Sequence, residues 1–454
     1  MTQLPIQSGV EVIDGALVPV HPLNLRHRVL ESGIAKGELV HSPGAASMST
    51  GPGVDRGGIS WRGEHYRVMG TKLVLLAADG SVTEIGDVGG DVLPCRFAYG
   101  FDRLGIASGD RLYYWTGISL TAVTDTDLGK VIDLDWIDGY FVTTDGNAIV
   151  VTELNDPASI EPLKYGSAEK DPDSVTGIAT LKEELVVFGT NSVQFFQNQG
   201  GSGFPFANVA GAMIPVGCIS ATAKCKIAGT LAFVGSGREE PLGVFVVSQG
   251  SYARISDAAV DRALAACSDP ATIELEARRF GDEQQLVVHA GLASYCLSFA
   301  ASEQASAGLW HSLASAGRAY RPRHAVWCHG AHWVGDTETA QIGRLDERIS
   351  AHFGEEPGWQ MSAGMLFSEG RAFILHEIEI AGRFPQAEAA VFFSMTRDGE
   401  TWSREIARRM RGNRDERALW RPNVRCARLA GFRFRGAGPV ALSRCDVAAE
   451  ALGV

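Results

Sequence analysis

The side chains best suited to chemistry lie in one short stretch, HAVWCHGAHWVG, which carries His324, Cys328, His329 and His332. Imidazole and thiolate are natural zinc ligands, and zinc takes four at the corners of a tetrahedron, from paired knuckles or one helix face. This stretch reads instead as two strands about a turn at Gly330, and strand alternation sends neighbours to opposite faces. A core role is the stronger expectation, with no metal and no cofactor. Asp133 with Asp135, and Asp171 with Asp173, resemble the paired acids that glycoside hydrolysis sets across a cleft. Solvated turn acids are the commoner use of such pairs and are expected here. Thr396-Arg397-Asp398-Gly399-Glu400-Thr401-Trp402 nearly matches the Asp-box hairpin of sialidase-type propellers, but it is one residue short and has no second copy. A plain hairpin with Trp402 packed inward is expected. Gly200-Gly201-Ser202-Gly203 lacks the lysine of a phosphate loop and reads as a loop tip. No catalytic constellation emerges.

A different chemistry is offered by Arg404, Arg408, Arg409, Arg411, Arg414, Arg417 and Arg421, which crowd together in a chain of net charge −12. Arginine pairs bidentately with carboxylates and is enriched at protein interfaces. Single-strand nucleic-acid binding would interleave several aromatics with such cations, and this run does not support that pattern. The run is a candidate protein-docking surface, with a solvated face as the plain alternative.

The elements that position these residues are short antiparallel meanders. Ser174–Asn198 shows it most clearly: three apolar runs, β-branched and aromatic, are broken by Lys182-Glu183-Glu184 and by Gly189-Thr190-Asn191-Ser192. Such runs suit a pleated surface, and Gly, Asn and Ser supply the turns. The same rhythm recurs over Gly58–Ile85, Cys95–Val123 and Ile132–Leu163, with Asp138-Gly139 and Asp145-Gly146-Asn147 as hairpin signals;. Gln284–Leu313 and Ala325–Leu345 read as degraded copies. A period of roughly 35 to 42 residues is that of a propeller blade, which cannot bury both of its faces alone. Asp257–Ala266 is the best helix, with Asp257 as N-cap and Val260 and Leu264 on one face, and it should cap or bridge blades.

The expected fold class is all-β: a propeller of six or seven degenerate blades, an extended N-terminal arm and a C-terminal antiparallel sandwich-like domain. The boundaries are drawn at 1–50 for the arm, 51–347 for the propeller and 348–454 for the C-terminal domain. At 454 residues two domains are natural, and hydrophobic residues at 45% can build their cores;. The acidic total argues against a surface that wraps duplex DNA. Eight cysteines without a CxxC pair or regular framework read as free, mostly core thiols of a protein made in a reducing cytoplasm;. The start lacks the basic and apolar regions of a secretory signal, and no apolar run could anchor the chain in a membrane.

Four blocks then carry a resemblance to the packaged-DNA stabilisation, or tail hub, proteins of short-tailed phages. They are Pro22-Leu23-Asn24 with Glu38–Gly44, the central Ser174–Asn198, the hairpin Ala389–Glu405, and Leu419–Val447 with its Leu429-Ala430-Gly431-Phe432 and Pro439–Cys445 runs. The resemblance implies a non-enzymatic part of the virion tail, present in the bacterial host cytoplasm before assembly. Six copies would form a ring below the portal and its adaptor ring. That ring would close the DNA exit and hold the needle or plug and the tail spikes or fibres. DNA would pass through the channel without specific binding, helped by like-charge repulsion. The competing expectation is a propeller enzyme acting on glycans, a sialidase or lyase, which repeated Asp boxes or an inward cluster of acids and arginines would mark.

Overall fold

The computed structural model describes residues 2–6, 9–13, 15–30, 37–90, 92–154, 156–168, 173–201, 203–248, 250–368, 371–385, 389–412 and 416–452. Asp171, Ser202 and Arg414 lie outside them.

Residues 44–346 form seven small antiparallel sheets in chain order around one axis. Their innermost strands are Asp55–Trp61, Arg96–Tyr99, Asp133–Ile137, Val175–Leu181, Lys224–Ile227, Glu274–Phe280 and Pro322–Cys328, one for each of blades 1 to 7. Local turn chemistry explains the repeat. In six blades the first hairpin closes with two residues, and Arg62-Gly63, Asp138-Gly139, Ala228-Gly229 and His329-Gly330 place both at positive φ, the type I′ pattern that matches strand twist;. Blade 3 has three strands rather than four.

Blades bury side chains on both faces because each is covered twice. In blade 4, Val186, Phe188, Val193 and Phe195 face blade 5, while Leu185, Val187 and Phe196 face blade 3. The Phe188 and Phe233 rings meet edge to face at 5.4 Å across that first seam. Burying one such side chain contributes roughly 1.5–3 kcal/mol, so the seams dominate the stability of the ring.

Blade 7 is completed from the other end of the propeller sequence. Gly44–Thr50 pairs with Gln341–Asp346 as its fourth strand and closes the circle. Other N-terminal strands serve the second body: Leu25–Val29 and Gly37–His41 extend the sheet built on Phe373–Arg383 and Ala441–Ala451, and Thr2–Leu4 pairs with Ala441–Ala451. The facing sheet runs Gly358–Phe367, Leu429–Ala437, Ala390–Thr396, Ile406–Arg409. Together the two sheets enclose a core that includes Trp359, Phe393, Trp420, Phe432 and Phe434, a β-sandwich.

Helix α1 (Ala258–Ala265) forms where Asp257 accepts the Ala259 and Val260 amides at 3.0 and 3.1 Å, with Val260 and Leu264 buried. A second helix, α2 (Phe299–Ala305), stands where only strands were expected; the Glu283 carboxylate receives its first amides. All eight cysteines are free thiols.

Candidate functional site

Two places can carry function in such a scaffold: the axis, where enzymes of this architecture would place their chemistry, and the outer edges, where partners dock. At the axis, innermost strands do not pair with one another, so their amides need other acceptors. Acidic side chains from neighbouring blades supply them. Asp133 accepts the Ile178 amide at 2.8 Å and the Lys224 ammonium at 2.7 Å. Asp135 accepts the Thr180 amide at 2.7 Å, its hydroxyl at 3.0 Å and Lys226 at 2.9 Å. Glu276 accepts the Ala325 amide at 2.8 Å. These contacts join blades 3, 4 and 5, and blades 6 and 7.

The expectation that Asp133 and Asp135 are solvated turn acids is therefore corrected: Asp133 is buried on a strand, and both are inter-blade rivets. Residues i and i+2 of a strand share a face, which is how one short strand, DLDWI, presents two carboxylates to its neighbour. Asp173 accepts the Asn191 amide at 2.6 Å and braces a turn.

The joint between blades 6, 7 and 1 is built on His324. Its Nδ1 lies 2.6 Å from Asp55 and its Nε2 2.9 Å from Glu274, while Asp55 receives Arg67 through two bonds of 2.8 Å. Burial opposes charge on His324, but the Glu274 and Asp55 carboxylates overcome it and hold its pKa up at about 10. Burial likewise opposes ionisation of Glu274, yet His324 and Arg323 bring it down to about 2. Asp55 is held below the usual carboxylate range by Arg67 and His324 against its burial. The site is locked as an ion network at neutral pH.

The axial cavity of about 520 Å³ is thus lined by acids already committed to cations and amides. A general acid or base needs a poised, unengaged group near the working pH. The His324–His332 set disperses. The Cys328 thiol faces the Gly63 carbonyl at 3.5 Å, His329 the Leu76 carbonyl at 3.3 Å and His332 the Arg279 carbonyl at 2.6 Å. Among the described residues no group of three or more candidate ligands gathers around a point.

The near-Asp-box is a hairpin in the sandwich, with Asp398 accepting the Glu400 and Thr401 amides at 3.0 and 2.8 Å. Trp402 does not pack inward as expected. It is half-buried, with the Arg433 guanidinium 3.8 Å above its ring, because the core beneath is already filled by Phe393, Phe432 and Phe434.

The arginine run lies along the open edge of the sandwich, where the end strands of the two sheets, Ile406–Arg409 and Glu416–Trp420, come together. The Trp420 indole donates to the Ile406 carbonyl at 3.0 Å and Arg408 to the Leu419 carbonyl at 3.1 Å, stitching the edge. Arg404, Arg408, Arg409, Arg411, Arg417 and Arg421 are exposed. Arg417 meets Glu379 at 3.3 Å and Arg421 meets Glu377 at 2.7 Å, both in solvent, where such pairs contribute at most about 1 kcal/mol and exchange readily;.

Sequence reasoning gave Pro22-Leu23-Asn24 no mechanical role, but the structure does. Leu23 exchanges backbone bonds with Gln360 of the sandwich, and the Asn24 amide bonds Ser312 of blade 6. The buried Asn24 side chain donates to the Ala314 and Gly358 carbonyls at 3.0 and 2.8 Å and accepts the Ala314 amide at 3.0 Å. Its φ of 54° is one that asparagine tolerates better than most residues;. One tripeptide brackets the two bodies together.

Comparison with known proteins agrees with this architecture. Residues 2–350 match a family model described as Bacteriophage P22 Gp10, beta-propeller, and residues 358–450 one described as Bacteriophage P22 Gp10, beta-sandwich. The tail hub protein gp10 of Salmonella phage P22 is 26% identical over 489 aligned positions, covering 99% of both chains. Among solved structures, the N-terminal domain of Nup159 is 9% identical with a TM-score of 0.42, over 71% of this chain and 98% of that one. An exo-β-1,3-galactanase from Phanerochaete chrysosporium is 7% identical with a TM-score of 0.30, over 80% of this chain and 97% of that one. Both fall below the level at which likeness informs fold or function. Two consecutive family matches, spanning nearly every residue in the order of the two bodies, show that this chain belongs to the Bacteriophage P22 Gp10 family of β-propeller and β-sandwich proteins.

Proposed function

We propose that this protein is a structural component of a phage tail hub, which closes the portal channel, stabilises packaged DNA in the head and anchors other tail proteins. The observation that carries this reading is its end-to-end match to a tail hub protein, 99% of each chain. A central cavity whose acids are spent on holding blades together supports a scaffold over the glycan-enzyme alternative. The working form is a ring, six copies in our reading, in the virion tail, assembled from chains that accumulate in the host cytoplasm. Its partners are the portal-adaptor ring, a needle or plug, and spikes or fibres, while DNA passes without specific binding.

In mechanical terms, residues 51–347 are the stiff propeller and 348–454 the sandwich. Residues 1–50 are a strap common to both. The exposed edge carrying Arg404, Arg408, Arg409, Arg411, Arg417 and Arg421, with Arg414 between them in sequence, is the docking surface for acidic groups of a neighbour. Deleting the gene from its phage tests the reading: heads should fill with DNA and lose it, and supplying the protein in trans should restore them. Stable, infectious particles without the protein would overturn it.

A further inference from the structure

Blade 6 presents two unlike faces. Strand register sorts its side chains into two sets. Leu275, Leu286, Val288, Leu297 and Trp310 point one way and join the large apolar cluster shared with blade 5. Glu276, Arg278, Gln285, His289, Ser298 and His311 point the other way, toward blade 7 and the strand Leu25–Val29, around a small apolar cluster of Val287, Cys296 and Leu313 with Tyr320. Every one of these last except Glu276 is at least nine-tenths buried. Across the seam, Arg278 donates to the Tyr320 hydroxyl at 2.9 Å and the Pro322 carbonyl at 2.8 Å, and the His352 Nδ1 meets the Ser315 hydroxyl at 2.8 Å.

Five atoms in this region have no protein partner: Arg278 Nε, Gln285 Nε2, Ser298 Oγ, His311 Nδ1 and Arg26 Nε. Their residues are 0–5% exposed, so bulk solvent does not serve them. Buried polar groups of this kind are satisfied by internal water, each molecule serving about three of them. We propose that the seam between blades 6 and 7 is a hydrated polar joint and the line along which the propeller opens first when the medium turns acid. This does not depend on the tail hub reading.

The direction follows from the groups that face the histidines. His289 lies among Glu276 and Glu274 of the innermost strand, Arg323 and His324 of blade 7, and the Ser294 and Tyr320 hydroxyls. His352 faces Arg278, Arg321 and Tyr320; His311 faces His27, His21, Arg26 and Arg278; and His27 faces His21 and the Trp310 carbonyl. Burial lowers His289 and His27 to about 4 and His352 to about 3, with His311 well below its ordinary value, and neighbouring arginines add to it at His289, His352 and His311. A lowered folded pKa means that the closed seam refuses protons an open seam would take. Closure is therefore favoured above the ordinary value of about 6.5 and lost progressively as pH falls from there toward 4. At pH 5 each histidine released to its ordinary value raises the open fraction about thirtyfold. His324 works oppositely and stays charged throughout this window.

Hydrogen exchange of the full chain at pH 7 and pH 5, corrected for intrinsic rates, tests this. Protection across 283–298, 310–313 and 322–336 should fall at least about thirtyfold more than across 184–198 and 230–248, the apolar blade 4–blade 5 seam. His289→Gln with His352→Gln should shrink that difference by more than tenfold. Equal loss at both seams would overturn the proposal, and so would an undiminished response in a folded double variant. Should the variant fail to fold, the wild-type ratio between the seams decides alone.

Discussion

Asp133 shows what a buried charge does in this molecule. Its carboxylate is almost wholly buried and satisfies both Lys224 and a backbone amide of the next blade. Asp133→Ala should cost about 3–5 kcal/mol in urea unfolding, because it leaves a buried ammonium unpaired, whereas Asp133→Asn keeps an acceptor and should cost less. The His324 network adds a pH signature. Its folded pKa is raised to about 10, so its contribution is complete below about 6.5 and fades as pH rises toward 10;. Glu274, lowered to about 2, contributes above about 4.5 and loses its effect as pH falls below that;. His324→Gln should therefore lie furthest below the native protein between pH 4.5 and 6.5 and converge on it by pH 10, as read from thermal midpoints. These roles were only half legible. The i, i+2 spacing of Asp133 with Asp135 and of Glu274, Glu276 and Arg278 places each set on one strand face. Whether that face meets water or another blade is a tertiary fact.

Elements were more legible than residues, and for a local reason. A pair such as Asp138-Gly139 takes positive φ wherever it stands, so the first hairpin of a blade announces itself without help from the rest of the chain;. Gly44–Thr50 carries no such mark, since its partner strand lies some 300 residues away and only closure of the ring makes it a blade strand. Helix α2 was hidden similarly: FAASEQA is short, and its first amides are served by Glu283 from another strand. Phe188→Ala should cost about 3–5 kcal/mol, since the cavity opens between two blades that cannot close over it. Asn24→Ala should lose three side-chain bonds at the bracket and strain a residue at φ 54°, for about 2–4 kcal/mol;. In calorimetry, propeller and sandwich should then melt as two transitions where the native protein shows one. Asn24→Gly, free of the backbone strain, should split them too.

At the scale of the whole molecule, two bodies are held together by the Pro22-Leu23-Asn24 bracket and by the packing of Leu25–Val29 on blade 6, and a line of exposed arginines marks the far edge of the sandwich. Family and architecture were readable from motif order along the chain, since blade, hairpin and closing blocks occur in the family's sequence. Which surface meets which neighbour was not, because docking depends on shape and charge that only the assembly brings together. Arg404→Glu with Arg408→Glu and Arg409→Glu should lower the thermal midpoint only modestly, through loss of the Arg408 bond to the Leu419 carbonyl, yet weaken assembly;. The most direct test is electron microscopy of the purified protein mixed with the portal-adaptor ring of its own phage. A closed ring of six copies seated on the adaptor, missing with the triple arginine variant, is the predicted image. An adaptor ring left bare by the folded native chain would contradict the account.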